Sequence, residues 1–206
     1  MNLEEQLARA TEWLNIKEKH RQKISLLLQQ LKNHHLQTYE HAIRVGLTSK
    51  SIAQFMHLDP KPAIYGVLHD LGKARIPLQI LEKTEEFNEQ DMEMMKNHVQ
   101  WGYEMLQQEG YIFSSWIALT HHRYQKNQYP RKLPQKPAQF CEGTKLLVDI
   151  YSRIVSLADQ NDALKQRNDR YGTIEMKASR SKEIMLTNNY DQEYLIKELY
   201  EARILT

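Results

Sequence analysis

Glycine and proline are scarce in this chain, and several of them fall where helices would end. Seven glycines and six prolines punctuate 206 residues, and the stretches between them are rich in Leu, Ile, Met, Glu, Gln and Lys. Most of those side chains lose little rotamer freedom in a helix, which leaves all-α as the fold class. Leu3, Leu7, Ala10, Leu14, Ile24, Leu27, Leu28 and Leu31 recur at steps of mostly three and four, the period of an amphipathic helix, with a break near Asn15. A second helix is predicted from Leu36 to His57, ending before Asp59-Pro60, because the residue before a proline avoids helical geometry. A third covers Ala63 to Gly72, stopped by that glycine and by Pro77. Asn88 to Asp91 reads as a capped start for a helix closed by Gly110. Another runs from Tyr111 to Tyr124. Gln125 to Gly143 holds three prolines and few apolar residues, a long loop of the kind that often carries function. Helices resume over Thr144–Gln166, Thr173–Leu186 and Gln192–Leu205.

Charge and cysteine content narrow the function. A net charge of +2 gives no reason to expect DNA as a partner. No apolar run could span a bilayer, and MNLEEQLARATEW lacks a signal-peptide pattern, so a cytoplasmic protein without a membrane span is expected. The single Cys141 excludes a disulfide framework and a Cys-rich zinc site. Any metal must be held by histidine and carboxylate. No GKS/T phosphate loop, HExxH or GxSxG is present.

His69-Asp70 follows Ile64, Tyr65, Val67 and Leu68, and two ionisable groups in so apolar a segment need strong partners. Adjacent helical residues point about 100° apart, so His69 can serve one metal while the two Asp70 oxygens bridge it to a second. Lys73 lies three residues on, near the same face, where it could neutralise a phosphate oxygen. The alternative is a helix end with a buried histidine and an Asp–Lys pair. His41, His98, His121-His122 and Asp159 lie on separate predicted helices, as expected of a bundle converging on a metal centre. Taken singly, each is more often a satisfied core residue or a surface group than a ligand.

Together, His41, His69-Asp70-x-Gly72-Lys73, His98, His121-His122 and Ala158-Asp159-x-x-Asp162-Ala163-Leu164 resemble the HD-GYP family, an HD-superfamily branch of bacterial cyclic di-GMP phosphodiesterases. The resemblance covers residues 35 to 203 and includes Ile76-Pro77, Ile80-Leu81-x-Lys83 and a faint echo at Tyr190-Asp191. It implies an HD-domain helical bundle of roughly seven to nine helices, over residues 33–206, with an extra N-terminal helical segment over 1–32. That segment could pack on the bundle, mediate a homodimer, or stand in for a sensory domain. The resemblance further implies metal ligation by His41, His69, Asp70, His98, His121, His122 and Asp159, with Asp70 as the bridge. Two divalent transition-metal ions, iron or manganese first among them, suit such ligands. Asp70 and Lys73 then become catalytic residues, the metals activating a hydroxide and Lys73 adding charge for the transition state. The expected substrate is a cyclic dinucleotide, cyclic di-GMP foremost. Another nucleotide or phosphoester, or binding as a non-catalytic sensor, are the alternatives.

The chain departs from the family at its name-giving loop. Relatives read HHE, a basic residue, DG and GYP. Here His121-His122-Arg123-Tyr124-Gln125-Lys126-Asn127-Gln128-Tyr129-Pro130 lacks one residue and both loop glycines. The glutamate that gives some members a third metal is Gln37, so two metals are expected. Arg167 and Arg170 keep the spacing of the family's phosphate-binding pair one position early. They could grip a phosphate or simply end a helix in solvent. Tyr129, and Tyr124 with it, could stack on a base or anchor the loop. Lys126, Arg131, Lys132 and Lys136 make that loop basic. His20, His34, His35 and His57 read as surface residues, and Met92, Met94, Met95 and Met105 as core filling.

Overall fold

The structure is a computed structural model that describes residues 2–12, 16–125, 127–171 and 178–206, without the side chains of 10–11, 166–171 and 178. Ten α-helices are present among the described residues: α1 (Leu3–Glu12), α2 (Glu18–His34), α3 (Leu36–Phe55), α4 (Pro62–Leu68), α5 (Leu78–Leu81), α6 (Glu89–Gln108), α7 (Ile112–Thr120), α8 (Glu142–Tyr171), α9 (Ala178–Asn188) and α10 (Glu193–Glu201). Three 3₁₀ turns join them, at Leu71–Arg75, His121–Tyr124 and Tyr190–Gln192. No strand occurs among these residues, and no helix is long and apolar enough to cross a membrane.

The bundle is organised on α3, α4, α6, α7 and α8. Val45, Ile52 and Ala53 of α3 pack with Ile117 of α7 and with Ile154, Val155 and Ala158 of α8, and α10 closes this cluster with Ile196 and Leu199. A second cluster sets Ile43 of α3 and Leu68 of α4 against Leu106 of α6. Its remaining wall is Ile24, Leu27, Leu28 and Leu31 of α2, so the apolar stripe seen near the N-terminus is part of the core. Helices α3 and α4 cross closely because both carry glycine at the contact. A Cβ on Gly66 would stand 2.7 Å from the Gly46 Cα. That crossing brings the α3 face bearing His41 beside the end of α4.

Helix α6 begins as expected, with Asn88 accepting from the Asp91 amide in a capping box. Other expectations needed correction. The helix expected to reach Gly72 stops at Leu68, and the chain continues as the 3₁₀ turn Leu71–Arg75. Gly72 lies inside that turn, buried against α6, and ends nothing. Pro77 starts a short helix, α5, where only a stop was expected. His35 is buried, its Nδ1 accepting from the Thr38 amide to cap α3, and His34 Nε2 donates to the Ile76 carbonyl at 2.8 Å. Neither is a bystander on the surface, because the free N-terminal amides of α3 need an acceptor. Of the methionines, Met105 packs against the core while Met92 is exposed. The buried stripe of α6 runs through His98, Val99, Gly102 and Leu106, so no residue of its first two turns is fully buried.

Candidate metal centre

Five local structures deliver seven polar side chains to one point. His41 comes from the middle of α3, His98 from α6, and Asp159 from α8. His69 and Asp70 sit at the junction between α4 and the following 3₁₀ turn, and His121-His122 open the turn that ends α7. The structure thus brings together all seven residues expected as ligands. Their candidate ligand atoms form overlapping groups, His41/His69/Asp70, His98/His121/His122 and His69/His121/Asp159, with the atoms of each group within 4.8 Å of one another.

Asp70 is at the centre and fully buried. Its Oδ2 lies 3.4 Å from His41 Nε2 and 3.3 Å from His69 Nε2. Its Oδ1 turns the other way, 3.2 Å from His98 Nε2 and 4.0 Å from His121 Nε2. Asp159 Oδ1 closes the first side, 3.2 Å from His41 Nε2 and 3.9 Å from His69 Nε2.

The tautomers follow from the outer partners. His69 Nδ1 is 2.6 Å from the Gly66 carbonyl, His98 Nδ1 2.6 Å from that of Met95, and His121 Nδ1 2.8 Å from that of Ala118. A carbonyl only accepts, so each Nδ1 carries the proton and each Nε2 presents a lone pair. Those three Nε2 atoms, with Asp70 Oδ1 and His122 Nδ1, are buried and have no hydrogen-bond partner among the described residues. Four such nitrogens gathered with one such carboxylate oxygen would be costly in a site meant to stay dry. The donor set, imidazole and carboxylate, is that of a divalent transition metal, so the residues fit the metals that the sequence suggests.

Electrostatics agree with this geometry. Burial alone would raise the Asp70 carboxyl, but the electrostatic influence of His69 and Lys73 and the hydrogen bond from His41 hold it well below the ordinary carboxylate range. Burial pulls the His41 imidazolium down, yet the hydrogen bonds it donates to Asp159, Asp162 and Asp70 prevail and hold it up at about 10. His98 goes the other way: burial presses it down to about 3. Burial also lowers His121 and His122.

These directions set an acid limit for the metal-free fold. Unfolded histidines protonate near 6.5, whereas His98, His121 and His122 in the folded protein resist protonation. Below about pH 6.5 the unfolded state therefore binds more protons; His98 alone removes about 1.4 kcal/mol of stability per pH unit, and His121 and His122 act in the same direction. His41 does not offset this, because its stabilising contribution is complete below 6.5 and is lost only as pH rises through about 10. The carboxylates weigh in only at lower pH. The urea midpoint of the metal-free protein should fall steadily from pH 6.5 to 4.5, and an unchanged midpoint would rule out neutral buried imidazoles.

Lys73 Nζ pairs with Asp70 Oδ2 at the edge of an open cleft of about 2310 Å³. Tyr129 lines the same cleft and stacks on His122, ring centroids 4.4 Å apart. Tyr124 does not: its hydroxyl donates to the Asp149 carbonyl at 3.0 Å, and the Arg153 guanidinium covers its ring, so it anchors the loop. Gln37 lines the cleft. Lys136 turns instead to Asp149, 3.2 Å away. The side chains of Arg167 and Arg170, and all of Lys126, lie outside the described residues.

Two contributors escaped the sequence reading. Asp162 accepts from His41 Nδ1 at 2.8 Å and takes both Nε and a terminal nitrogen of Arg44. Its place three residues after Asp159, one helical turn along, was the available signal. Arg153, buried on α8, donates to the Tyr124 carbonyl and to Asp191, tying the His121–Tyr124 turn to α8. The Tyr190-Asp191 echo was its only trace.

A cyclic di-GMP phosphodiesterase of Thermotoga maritima is 31% identical over 140 residues, 64% of this chain and 35% of that protein. The cyclic di-GMP phosphodiesterase response regulator RpfG of Xanthomonas campestris is 38% identical over 101 residues, 47% of this chain and 24% of its own length. A 3′3′-cGAMP-specific phosphodiesterase of Vibrio cholerae is 27% identical over 146 residues, 68% of this chain and 31% of its own. The chain thus spans about a third or less of these relatives. The HD domain of the Listeria monocytogenes phosphodiesterase PgpH, in complex with cyclic-di-AMP, shares the fold, with a TM-score of 0.59, 19% identity, and coverage of 85% of this chain and 86% of that one. The HD domain family model matches residues 38–164, more than half of the chain and a span containing all seven clustered residues. The chain belongs to the HD domain family.

Proposed function

We propose that this chain hydrolyses a phosphodiester bond of a cyclic dinucleotide, cyclic di-GMP foremost, at a dinuclear metal centre bridged by Asp70. One observation carries it: the two Asp70 oxygens face separate sets of imidazole nitrogens, His41 and His69 on one side and His98 and His121 on the other, and all but that of His41 are buried without a hydrogen-bond partner among the described residues. His41, His69 and Asp159 would hold one metal, and His98, His121 and His122 the other, with iron or manganese suited to both. Such a pair supplies Lewis acidity, lowering the pKa of a water molecule and stabilising charge on phosphoryl oxygens.

The chain's own groups do the rest. Lys73, partly exposed beside Asp70, adds a cation where a phosphate oxygen would lie. The Tyr129 hydroxyl is pushed well above its ordinary value, by burial first and then by the Asp159 and Asp70 charges. It therefore stays protonated, able to donate to an anionic substrate while its ring stacks on His122. The cleft has room for a dinucleotide, and the curated relatives are named for cyclic di-GMP and 3′3′-cGAMP.

The test is turnover by protein loaded with Mn²⁺ or Fe²⁺, given cyclic di-GMP, 3′3′-cGAMP, cyclic di-AMP and a panel of mononucleotides. Release of a linear dinucleotide from one of the cyclic substrates at micromolar concentration is expected. The loop residues Gln125 and Gln128 favour a second reading, an HD phosphohydrolase of another phosphoester, because both replace family positions at the cleft. Turnover of a mononucleotide alone would establish that reading and end the first. Tight binding of cyclic di-GMP by metal-loaded protein without cleavage would make the chain a sensor.

A further inference from the structure

The outer nitrogens of the histidines are not held alike. His69, His98 and His121 each donate Nδ1–H to the carbonyl three residues earlier, so each ring is oriented by its own helical turn. His41 is different. Its Nδ1 is bound by Asp162, a side chain 121 residues away on another helix. Asp162 is buried and is itself fixed: Arg44 Nε donates to Oδ1 at 2.8 Å and a terminal nitrogen donates to Oδ2 at 3.1 Å. A guanidinium fork meeting a carboxylate in this way sets the plane of the carboxylate as well as its position.

Spacing explains how two helices produce the arrangement. On α3, Arg44 lies three residues after His41, and on α8, Asp162 lies three residues after Asp159. Each helix therefore contributes one residue to the metal-facing cluster and, one turn along, one to its support. Where α3 and α8 meet, the supports join each other and His41.

We infer that Asp162, clamped by Arg44, is a positioning residue that fixes the His41 ring and thereby governs retention of the metal held by His41, His69 and Asp159, an inference that rests on the dinuclear reading above. A carboxylate behind a ligating imidazole fixes its tautomer, aims its lone pair and raises its basicity, and losing such a partner costs roughly 10–100-fold in metal affinity. The rings of His69, His98 and His121 keep their carbonyl partners whatever happens at Asp162. The effect therefore falls on one metal of the two.

The experiment compares the full chain with Asp162→Asn and Asp162→Ala, titrated with Mn²⁺ and read from the free-ion electron paramagnetic resonance signal, with melting of each metal-free protein recorded alongside. Wild type is expected to bind two ions. Both variants should keep one ion at wild-type affinity and bind the other roughly 10–100-fold more weakly. In a His41→Ala background, Asp162→Asn should add no further loss, because the ring it positions is gone. Asp162→Asn protein that holds both ions as wild type does would overturn the inference. So would equal weakening of both ions with a collapsed melting temperature, which marks a merely structural role. If wild type itself binds no metal, the dinuclear reading fails, an outcome distinct from either.

Discussion

Asp70→Ala is expected to strip both metals and to lower cyclic dinucleotide turnover by about 10³-fold or more, the scale on which loss of a group that stabilises transition-state charge is felt. The size of the effect follows from position. Asp70 Oδ1 lies 3.2 Å from His98 Nε2 and Oδ2 3.3 Å from His69 Nε2, so a single side chain reaches both halves of the cluster. Removing it leaves Asp159 as the one carboxylate among the seven clustered residues. Two divalent cations would then face a mostly neutral imidazole cage, with the Lys73 ammonium beside them and its partner gone. Elemental analysis of the purified variant gives the metal count, and chromatography of the linear product gives the rate. A variant that keeps two metals per chain and turns over within tenfold of wild type would show that Asp70 does not bridge. Loss of one metal alone would assign the carboxylate to a single site.

The legible part of this site was its candidate ligands. His41, His98, His121-His122 and Asp159 were legible only together, through their resemblance to the HD-GYP pattern, whereas His69-Asp70 stands out for a physical reason: two ionisable groups after an apolar helical stretch must find strong partners. Helix type was legible for the same kind of reason: the 3.6-residue period and the Asn88 capping box are local. What stayed hidden depends on distant contacts. The end of α4 at Leu68 is set by the packing of the following turn against α6, which no window around Gly72 can reveal. His35 looks like a surface residue until it is seen capping α3. Met92 looks like core until it is seen on the exposed side of the first turn of α6. The Asp162–Arg44 support joins residues 118 apart in sequence. Family resemblance marked Asp162 as part of a motif without saying what it touches.

Gly72→Ala is expected to be the most damaging small substitution away from the ligands. A Cβ at position 72 would lie 2.0 Å from the His98 carbonyl oxygen, 2.5 Å from the Gly102 amide nitrogen and 2.9 Å from the His98 carbonyl carbon. All three are backbone atoms of α6, so no side chain can swing aside. The 3₁₀ turn and α6 must separate, and they carry Asp70 and His98 with them. Overpacking of this kind costs about 3 kcal/mol. In a chain of this length that corresponds to a melting temperature lower by about 6–12 °C. The reciprocal change, Gly102→Ala, meets its nearest neighbour at 3.3 Å and should be much milder. Thermal melts of both metal-free variants measure the difference, and metal titration of Gly72→Ala shows whether the site has opened. If Gly72→Ala melted with wild type and bound Mn²⁺ equally well, the close approach of the two backbones would not be what holds Asp70 against His98. If both fall together, the glycine of HDxGK is explained by contact alone: it is the residue that lets the Asp70 turn lie flat on the helix carrying His98.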